Sequence, residues 1–462
     1  MRISLNDWTC VSALGLVALC ASGCSAGAEE QVGTASQAVL GDTLPGVNAG
    51  LFTEARDAFN AVENITDGVG PVFNAQACGI CHSNGAQGGA GEQIERRFGR
   101  LVNGVFDPQA NLGGSLRQLF TVGTFNNGTR SCTVPLESEP ATATVHNVGR
   151  LTTPLFGLGL VDAMPDSFFD GLAAAQPAAI RGTVNRVQVV LPNPGDPSQS
   201  INSTRVGRFG WKAGVATLLQ FSADAYVNEM GITTQSCFRG SPLNAFAIES
   251  APNGVPVPDG CDDLAARQTG PNPGGLTATQ WSQVDDAVGS CANNRTEIQD
   301  DVFLFAAFMT ALAPAPRDLS DQVAVTRGEP LFSQVGCAGC HVATTFRTPA
   351  NPAGVDIGDG QEVVRVPGNF AFNPYSDFLT HDMGTLGDQI GNAGDSLAVT
   401  RRMRTAPLWG VRFRNHLLHD GRASDVAAAV RAHDGQAAAS RNAFNALSAT
   451  NQHYVVQFVR SL

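Results

Sequence analysis

The pattern C-x-x-C-H occurs twice in this chain of 462 residues. Its members are Cys78, Cys81 and His82 in the first copy and Cys337, Cys340 and His341 in the second. Two thiols at this spacing can form thioethers with the two vinyl groups of one haem, and the adjacent histidine then ligates the iron. A zinc ribbon would place its cysteine pairs about 15–20 residues apart, whereas more than half of the chain separates these two. The sequence therefore predicts two covalently bound c-type haems.

Each motif follows a segment with the apolar spacing of a helix. The first segment covers residues 50–64 and the second covers residues 323–335. A helix followed by C-x-x-C-H is the order in which a cytochrome c fold begins. Further helices are predicted over 300–312, 425–432 and 451–462, the last being the closing helix of the chain.

Pro314 and Pro316 end the helix that precedes them and mark a domain boundary. We therefore expect a mainly α fold with two cytochrome c-like domains, the first over 46–315 and the second over 316–462. The 51 glycines and 25 prolines predict much irregular structure between the helices. The N-terminal domain is expected to be heavily elaborated with loops and a few short strands, including a hairpin within 181–208.

The N-terminus has the pattern of an export signal. Arg2 supplies a short basic region, and the apolar stretch over 11–20 is too short to span a bilayer. We expect a signal peptide over 1–28 and a polar linker over 29–45. Cys24 follows a sequence that resembles a lipoprotein box, and an ordinary A-x-A cleavage site lies just after it. The lipoprotein interpretation is favoured and predicts a periplasmic or cell-envelope protein whose only membrane contact is a lipid anchor.

The charge of the chain restricts its partners. A net charge of −12 and an isoelectric point near 5.1 argue against nucleic acid and anionic membrane surfaces. The same charge is compatible with a small electron-donor protein, either a cytochrome or a cupredoxin.

Four cysteines remain outside the motifs and the signal region, namely Cys132, Cys237, Cys261 and Cys291. An even number in an oxidising compartment predicts two disulfides. Three pairings are open, and the sequence does not choose among them.

Several segments beyond the haem motifs are distinctive, among them GRFGWKA at 207–213, HDMG at 381–384, and RTAPLWG followed by LHDGRA within 404–423. With these segments the chain resembles the bacterial di-haem oxidoreductases, which are described as peroxidases and sometimes as thiol oxidoreductases. The resemblance runs from about residue 50 to the C-terminus. The second half of the chain is more distantly similar to di-haem cytochrome c peroxidases and to the di-haem enzyme of methylamine utilisation. It implies redox chemistry and haems at a domain interface, but it does not name a substrate.

The resemblance also implies a second axial ligand for the C-terminal haem. In the di-haem peroxidases a ligating methionine lies fourteen residues after the histidine of a Y-F-H-x-G segment, and His419 takes the place of that histidine here. Fourteen residues further is His433, which would complete a bis-histidine iron with His341. Met383 and Met403 remain alternative ligands.

Haem propionates need cationic or hydrogen-bonding partners. His419 is expected to bond a propionate or to lie between the domains. Arg402 and Arg404 flank the turn that follows them and could pair with propionates, because a guanidinium matches carboxylate geometry.

The first haem is the better candidate for the reactive centre, because the loop over 83–91 is small and glycine-rich and could leave room for a ligand. Cleavage of a peroxide needs an acid–base group and a cationic or donor group close to the iron. Glu92 and Arg150 are the predicted catalytic residues. Gln93 is a further candidate, and His146 could serve here or ligate the iron.

An aromatic side chain between two haems would speed electron exchange between them. Related di-haem enzymes place a tryptophan there, so the resemblance favours Trp211, which lies in the GRFGWKA segment. Trp409 is the next candidate.

Calcium lies between the domains in the related peroxidases. Asp356, Asp359 and Asp395 lie in predicted loops that could supply oxygen ligands, but their spacing is not that of an EF-hand. The sequence therefore suggests calcium as a further cofactor, but it does not assign a calcium site.

Three functions fit these features. The favoured one is a peroxidase-like oxidoreductase, with the first haem as reactive centre and the second as electron relay, acting on a small-molecule oxidant. The second is a di-haem oxygenase or protein-modifying oxidase with an organic or protein substrate. The third is an electron carrier without enzymatic activity. The amount of chain around the first motif exceeds what a carrier needs.

Overall fold

Helices precede both C-x-x-C-H motifs, as the sequence predicts. The computed structural model describes residues 39–67, 69–112, 114–126, 131–193, 196–232, 301–356 and 363–462. The predicted signal peptide, most of the predicted linker and the cysteines Cys237, Cys261 and Cys291 lie outside these residues. The side chain of Cys132 is likewise not described, so the disulfide prediction remains untested.

The described α-helices include every helix that the sequence predicts, each within a few residues of its expected bounds. They are Ala49–Asn60 (α1), Cys78–Cys81 (α2), Leu158–Asp162 (α3), Asp166–Ala175 (α4), Leu218–Met230 (α5), Asp301–Ala311 (α6), Gln322–Gln334 (α7), Leu397–Thr400 (α8), Val426–Ala432 (α9), Ala438–Asn445 (α10) and Ala449–Ser461 (α11).

Short strands are spread along the whole described chain, and all their pairings are antiparallel. They are Val72–Phe73 (β1), Ile94–Val102 (β2), Val105–Asp107 (β3), Leu116–Arg117 (β4), Phe120–Thr121 (β5), Thr124–Asn126 (β6), Ser131–Thr133 (β7), Val145–Leu151 (β8), Arg186–Asn193 (β9), Asp196–Val206 (β10), Phe346–Arg347 (β11), Gly354–Asp356 (β12), Val363–Arg365 (β13), Ala371–Phe372 (β14), Thr380–Asp382 (β15) and Arg402–Arg404 (β16).

The expectation of a mainly α fold is wrong. Helix accounts for 36% of the residues, but strand accounts for 19% and is distributed over many small sheets. Strand β2 pairs with β3, β4 and β8, which makes it the centre of a four-stranded sheet directly after the first motif. Its sequence, IERRFGRLV, carries charged residues toward both faces and lacks the alternation by which a half-buried strand is recognised. The predicted hairpin within 181–208 is confirmed as β9 and β10, with Val189 opposite Ser203.

The helices before the two motifs rest on different hydrophobic cores. Near the first motif, α6 is buried from Val302 to Ala311, as a helix that is apolar on all sides should be. It packs against α1, where Phe59 contacts Phe305 and Phe308. This core continues into the C-terminal half through Trp409.

Near the second motif, α7 packs along α11 in a second core that contains Phe332 and Phe458. The two helices approach so closely that a Cβ at Gly328 would lie 2.1 Å from the Tyr454 carbonyl oxygen. A glycine is therefore required at the crossing.

Residues Val39 to Leu462 form one compact unit. The division at Pro314 and Pro316 into two cytochrome c-like domains remains a prediction. Among the described helices, none has both the length and the apolar composition needed to cross a membrane.

Candidate haem sites

The second motif forms a tight turn directly after α7. Gly336 adopts φ +89°, which permits the change of direction, and the His341 N–H donates to the Cys337 carbonyl at 3.0 Å. Nδ1 of His341 lies 3.0 Å from the Tyr375 carbonyl oxygen. A carbonyl at this position fixes the Nδ1–H tautomer and leaves Nε2 as the ligand atom. Desolvation lowers the pKa of His341 to about 4, so the ring is neutral, as iron ligation requires.

His433 has the same arrangement and lines the same cavity as His341. It follows the last residue of α9, and its Nδ1 lies 2.7 Å from the Ala429 carbonyl oxygen. Both His341 and His433 line the cavity, and the proximity of His433 is the second cause of the lowered pKa of His341. Desolvation also lowers the pKa of His433. Two neutral imidazoles with free Nε2 atoms therefore line one cavity.

Most of the remaining cavity lining is apolar and suits a porphyrin. The aliphatic and aromatic members are Ile180, Trp211, Phe332, Leu386, Leu408, Val411, Leu417, Leu418, Val426, Ala429, Val430, Ala437, Val455 and Val459. Met383 and Met403, the alternative ligands, also line it. The Met403 sulfur already lies 3.7 Å from the Lys212 ammonium nitrogen. This contact favours His433 over Met403.

Two guanidiniums at the cavity lack carboxylate partners among the described residues. Arg404 donates to the Gly210 carbonyl at 2.7 Å, and Arg414 donates to the Pro407 carbonyl at 3.2 Å. Desolvation lowers the pKa of each to about 10, and the charge of Arg414 further lowers the pKa of Arg404. The Nε atom of Arg414 is buried and has no hydrogen-bond partner in the described part of the chain. Two adjacent cations with an unpaired N–H fit the carboxylates of a haem.

The structure places the two arginines of the sequence prediction differently. Arg404 lines the cavity, whereas Arg402 does not and donates to Thr183 Oγ1. Their pairing with propionates remains a prediction. The sequence analysis missed Arg414, which lies in the same distinctive segment ten residues after Arg404. The position of Arg414 in that segment is the sequence feature that could have identified it.

The first motif is a single turn of helix, α2. The His82 N–H donates to the Cys78 carbonyl at 3.0 Å, and His82 Nδ1 lies 3.3 Å from the Gly89 carbonyl oxygen. Desolvation lowers the pKa of His82 to about 4, although hydrogen bonds to the carbonyls of Gly89 and Thr153 oppose the shift. His82 is therefore a neutral ring with the same Nδ1 arrangement as His341 and His433.

The glycine-rich loop packs against the first motif. A Cβ at Gly91 would lie 1.8 Å from the Cys81 carbonyl oxygen, and one at Gly89 would lie 2.0 Å from the Asn84 carbonyl oxygen. The glycines therefore allow close packing, whereas the sequence analysis attributed to them room for a ligand.

The four motif cysteines are unpaired thiols. Desolvation raises the pKa of Cys81 and Cys337 to about 12, and it also raises the pKa of Cys78. Cys78, Cys81 and Cys337 are therefore thiols rather than thiolates. Each of the four cysteines stands one or four residues before a neutral histidine and is free to react with a vinyl group.

Comparison with known proteins gives one family match. Residues 269–462 match the family described as "Di-haem oxidoreductase, putative peroxidase". Over these residues the chain is similar to the di-haem oxidoreductases. The match includes the second motif, His433 and both arginines, and it comprises somewhat less than half of the chain. No curated protein and no solved structure matched the chain.

Similarity to a di-haem family implies two haems. The matched residues do not include the first motif.

Glu92 lies at the surface, with half of its side chain exposed. Its carboxylate accepts hydrogen bonds from Asn415 at 2.7 Å and Asn84 at 3.0 Å and lies 3.2 Å from His416 Nε2. The Asn415 bond is the main reason why the pKa of Glu92 is lowered. A carboxylate held in its charged form is poorly suited to donate a proton. The predicted catalytic role remains untested, but this environment favours a structural one.

Arg150 forms an ion pair that the sequence analysis did not predict. Its Nε lies 2.9 Å from Asp388 Oδ2, and Lys212 Nζ lies 2.9 Å from Asp388 Oδ1. The Asp388 side chain is fully buried, and its two cations hold the pKa of that carboxyl at about 2 although burial alone would raise it. Arg150 is thus a partner of Asp388, and the structure does not bring it together with His82.

Trp211 lies at the edge of the second cavity. Its Nε1–H donates to the Leu151 carbonyl at 2.8 Å, and its ring is 6.2 Å from that of His419. His419 is buried and lines the same cavity, as a propionate partner would. Trp409, the other candidate relay, packs against Phe372 at 6.3 Å and does not line this cavity.

Gln93 lines a pocket that includes Ile80 of the first motif, and its Nε2 donates to the Asn74 carbonyl at 2.8 Å. The other remaining candidates are His146 and the three aspartates. His146 is largely exposed and lies 3.0 Å from the Glu139 carboxylate. Asp395 accepts a hydrogen bond from the Asn392 backbone. The Asp356 side chain and Asp359 lie outside the described residues, so the calcium suggestion is untested.

The sequence analysis missed an acid cluster beside the first motif, which consists of Glu95, Asp224 and Glu229 around Arg97. Glu229 lies closest to the motif, because its charge is one cause of the raised pKa of Cys81. Desolvation raises the pKa of Glu229, and Glu95 raises it further. Desolvation also raises the pKa of Asp224, to about 6.

Three carboxyls around one guanidinium leave at least one of them protonated near neutral pH. Glu229 Oε2 accepts a hydrogen bond from Asn74 Nδ2 at 2.8 Å, which leaves Oε1 to carry the proton. Glu229 lies on α5, and only the fold brings it to the first motif.

Proposed function

We propose that this chain is a peroxidase-like di-haem oxidoreductase that reduces peroxide at the first motif with electrons that arrive through the second. The difference between the two sites supports this assignment of separate roles to the two haems. At the second, His341 and His433 line the same cavity and would together hold one iron. At the first, His82 is the ligand that the motif supplies, His146 is largely exposed, and a protonatable carboxyl, Glu229, lies close by.

Covalent attachment is part of the proposal. Cys78 and Cys81 would bond one haem, and Cys337 and Cys340 the other, through thioethers. The unpaired thiols and the neutral histidine beside each pair support this assignment.

Glu229 would act as the acid. When bound, haem supplies iron that accepts electrons one at a time and delivers them to the O–O bond of peroxide. The net change is H₂O₂ with two electrons and two protons to two waters. Glu229 would hold one proton at Oε1 and give it to the leaving oxygen, and Asn74 would orient the carboxyl through Oε2. Asp224, whose pKa is also raised, would then supply a proton to Glu229.

Trp211 would lie on the electron path. It lines the second cavity, and its Nε1–H reaches the Leu151 carbonyl. Two residues further along the same segment, the Thr153 carbonyl hydrogen-bonds to the His82 ring. Lys212, the residue after Trp211, and Arg150, the residue before Leu151, share Asp388. A short series of bonded groups, fixed by this ion pair, therefore connects the second cavity with the first motif.

The donor would be a small cytochrome or cupredoxin, and the acidic charge of the chain favours a basic one. The protein would be exported, with Cys24 as lipid anchor, because c-type haem is attached outside the bacterial cytoplasm.

Anaerobic peroxide titration tests the function. The fully reduced di-haem protein should consume one peroxide per two electrons, so that one equivalent reoxidises both haems. The measurement is the loss of the reduced absorption bands in a stopped-flow spectrometer. Reoxidation no faster than that of a mono-haem cytochrome c at the same peroxide concentration would refute peroxidase activity and favour an electron carrier.

Replacing His433 with alanine tests the ligand assignment. We expect a haem content of two per chain, with one low-spin signal converted to high spin in the EPR spectrum, because one imidazole ligand is lost. Met383→Leu is the matched control and should leave the spectrum unchanged. The reverse outcome would assign Met383 as the ligand.

A further inference from the structure

A second group of chemically active side chains lies directly beside the second motif. The ligand atoms of Cys340, Asp377 and His381 all lie within 4.8 Å of one another. Such a group could hold a metal ion, but Cys340 belongs to a haem-attachment motif. The function of the other two residues must therefore be compatible with a thioether at Cys340.

His381 bridges the other two members. Its side chain is 2% exposed. Nε2 lies 2.9 Å from Asp377 Oδ2, and Nδ1 lies 3.7 Å from Cys340 Sγ. His381 also lines the cavity of the second site.

Asp377 is a fully buried carboxylate whose two oxygens both accept hydrogen bonds. Oδ1 accepts from the Leu379 N–H at 3.0 Å, and Oδ2 accepts from Gln176 Nε2 at 2.6 Å as well as facing His381. Gln176 is itself fixed, because its Oε1 accepts from the Gly182 N–H at 2.8 Å. These donors hold the Asp377 carboxylate in one position.

The chemistry of the sulfur determines which atoms carry protons. A thiol can donate or accept, but a thioether sulfur has no hydrogen and can only accept. Once Cys340 is bonded to haem, a favourable contact needs a hydrogen on His381 Nδ1. Nε2 needs a hydrogen as well, because the atom opposite it is a carboxylate oxygen. Burial would lower the pKa of His381, but the hydrogen bonds and charges of Asp377 and of the free Cys340 thiol outweigh this and raise it. With a thioether at Cys340, the contribution of Asp377 remains.

We propose that His381 is a positioning residue that donates its Nδ1–H to the thioether sulfur of Cys340 and thereby raises the reduction potential of the C-terminal haem. The proposal rests on the covalent attachment proposed above. A donor at the sulfur withdraws electron density from the macrocycle and favours the reduced iron. Two imidazole ligands give a lower potential than histidine with methionine, so this hydrogen bond would offset part of that effect.

Replacing His381 with phenylalanine tests the proposal, because this change removes the donor and retains a ring of similar size. We expect the midpoint potential of one haem to become more negative while the other stays unchanged. The measurement is an anaerobic spectroelectrochemical titration. His453→Phe is the matched control, because His453 is an exposed histidine on α11 of the same half of the chain, and it should shift neither potential.

A pyridine haemochrome assay and a haem stain of the denatured chain separate this proposal from the assignment of covalent attachment. A His381→Phe protein with two covalent haems and two unshifted potentials would overturn the proposal and leave the attachment intact.

Asp377→Asn is a second variant, for the case in which His381→Phe does not load both haems. The amide removes the negative partner that keeps both ring nitrogens protonated. The Nδ1 hydrogen is then lost, and the same haem should again shift to a more negative potential. An unchanged or more positive potential in this variant would contradict the proposal.

Discussion

Replacing both Cys78 and Cys81 with alanine will lower the covalent haem content from two per chain to one and abolish peroxide reduction. The first motif alone provides two thiols beside His82, and the second motif does not depend on them. The pyridine haemochrome assay gives the haem content, and the anaerobic peroxide titration gives the activity. The spectrum of the remaining haem should be that of a low-spin bis-histidine iron.

The matched control is the replacement of Cys337 and Cys340. It should also leave one haem, but the bis-histidine signal should then be the one that disappears. Two covalent haems in either variant would refute the attachment assignment. An active Cys78→Ala/Cys81→Ala protein with one haem would place the reaction at the second motif.

Replacing Glu229 with glutamine will lower the rate of peroxide reduction by about 10²–10⁴-fold, the contribution of a positioned acid–base group. Glutamine keeps the shape and can still accept the Asn74 hydrogen bond, but it cannot transfer a proton. The measurement is the second-order rate constant of the reduced protein with peroxide. Haem content and reduction potentials should remain as in the parent protein.

The pH dependence gives a second readout. Because the pKa of Glu229 is raised, the parent protein should keep its acid at neutral pH and lose activity as the pH rises through that pKa. The glutamine variant should lack this decline.

Glu92→Gln is the matched control, since Glu92 is the exposed acid near the same motif. It should retain the parent rate within about twofold, because its pKa is lowered and it does not hold a proton. If Glu92→Gln lowered the rate constant for peroxide reduction and Glu229→Gln did not, Glu92 would be the catalytic acid.

The sequence predicted the parts of the structure that depend on local spacing. Both C-x-x-C-H motifs, the helices before them and the 181–208 hairpin follow from patterns a few residues long, and the structure has them. Strand β2 was not predicted because its own sequence lacks the alternation typical of a strand. Its pairing with β8 and β4 places its charged residues in a sheet, and only the folded structure shows this pairing.

The acid cluster was missed for a related reason. Glu95 and Glu229 are separated by more than a hundred residues, and only the packing of α5 against the segment before the first motif brings them together. Arg414 could have been weighed with Arg404, because both lie in one distinctive segment. Its unpaired Nε became visible only with the surrounding packing.

The ion pair of Arg150 and Lys212 with Asp388 has a consequence for how this chain could be divided. Asp388 comes from the C-terminal half, both cations come from the N-terminal half, and the Leu151 N–H donates to the His419 carbonyl across the same boundary. Loss of one partner from a buried pair costs about 3–5 kcal/mol. If the two halves were expressed separately, each would retain an unpaired charge at a surface that is buried in the intact chain. The two halves of the chain are therefore not interchangeable modules, and a fusion that exchanges one of them must also carry the residues with which it pairs in the other half.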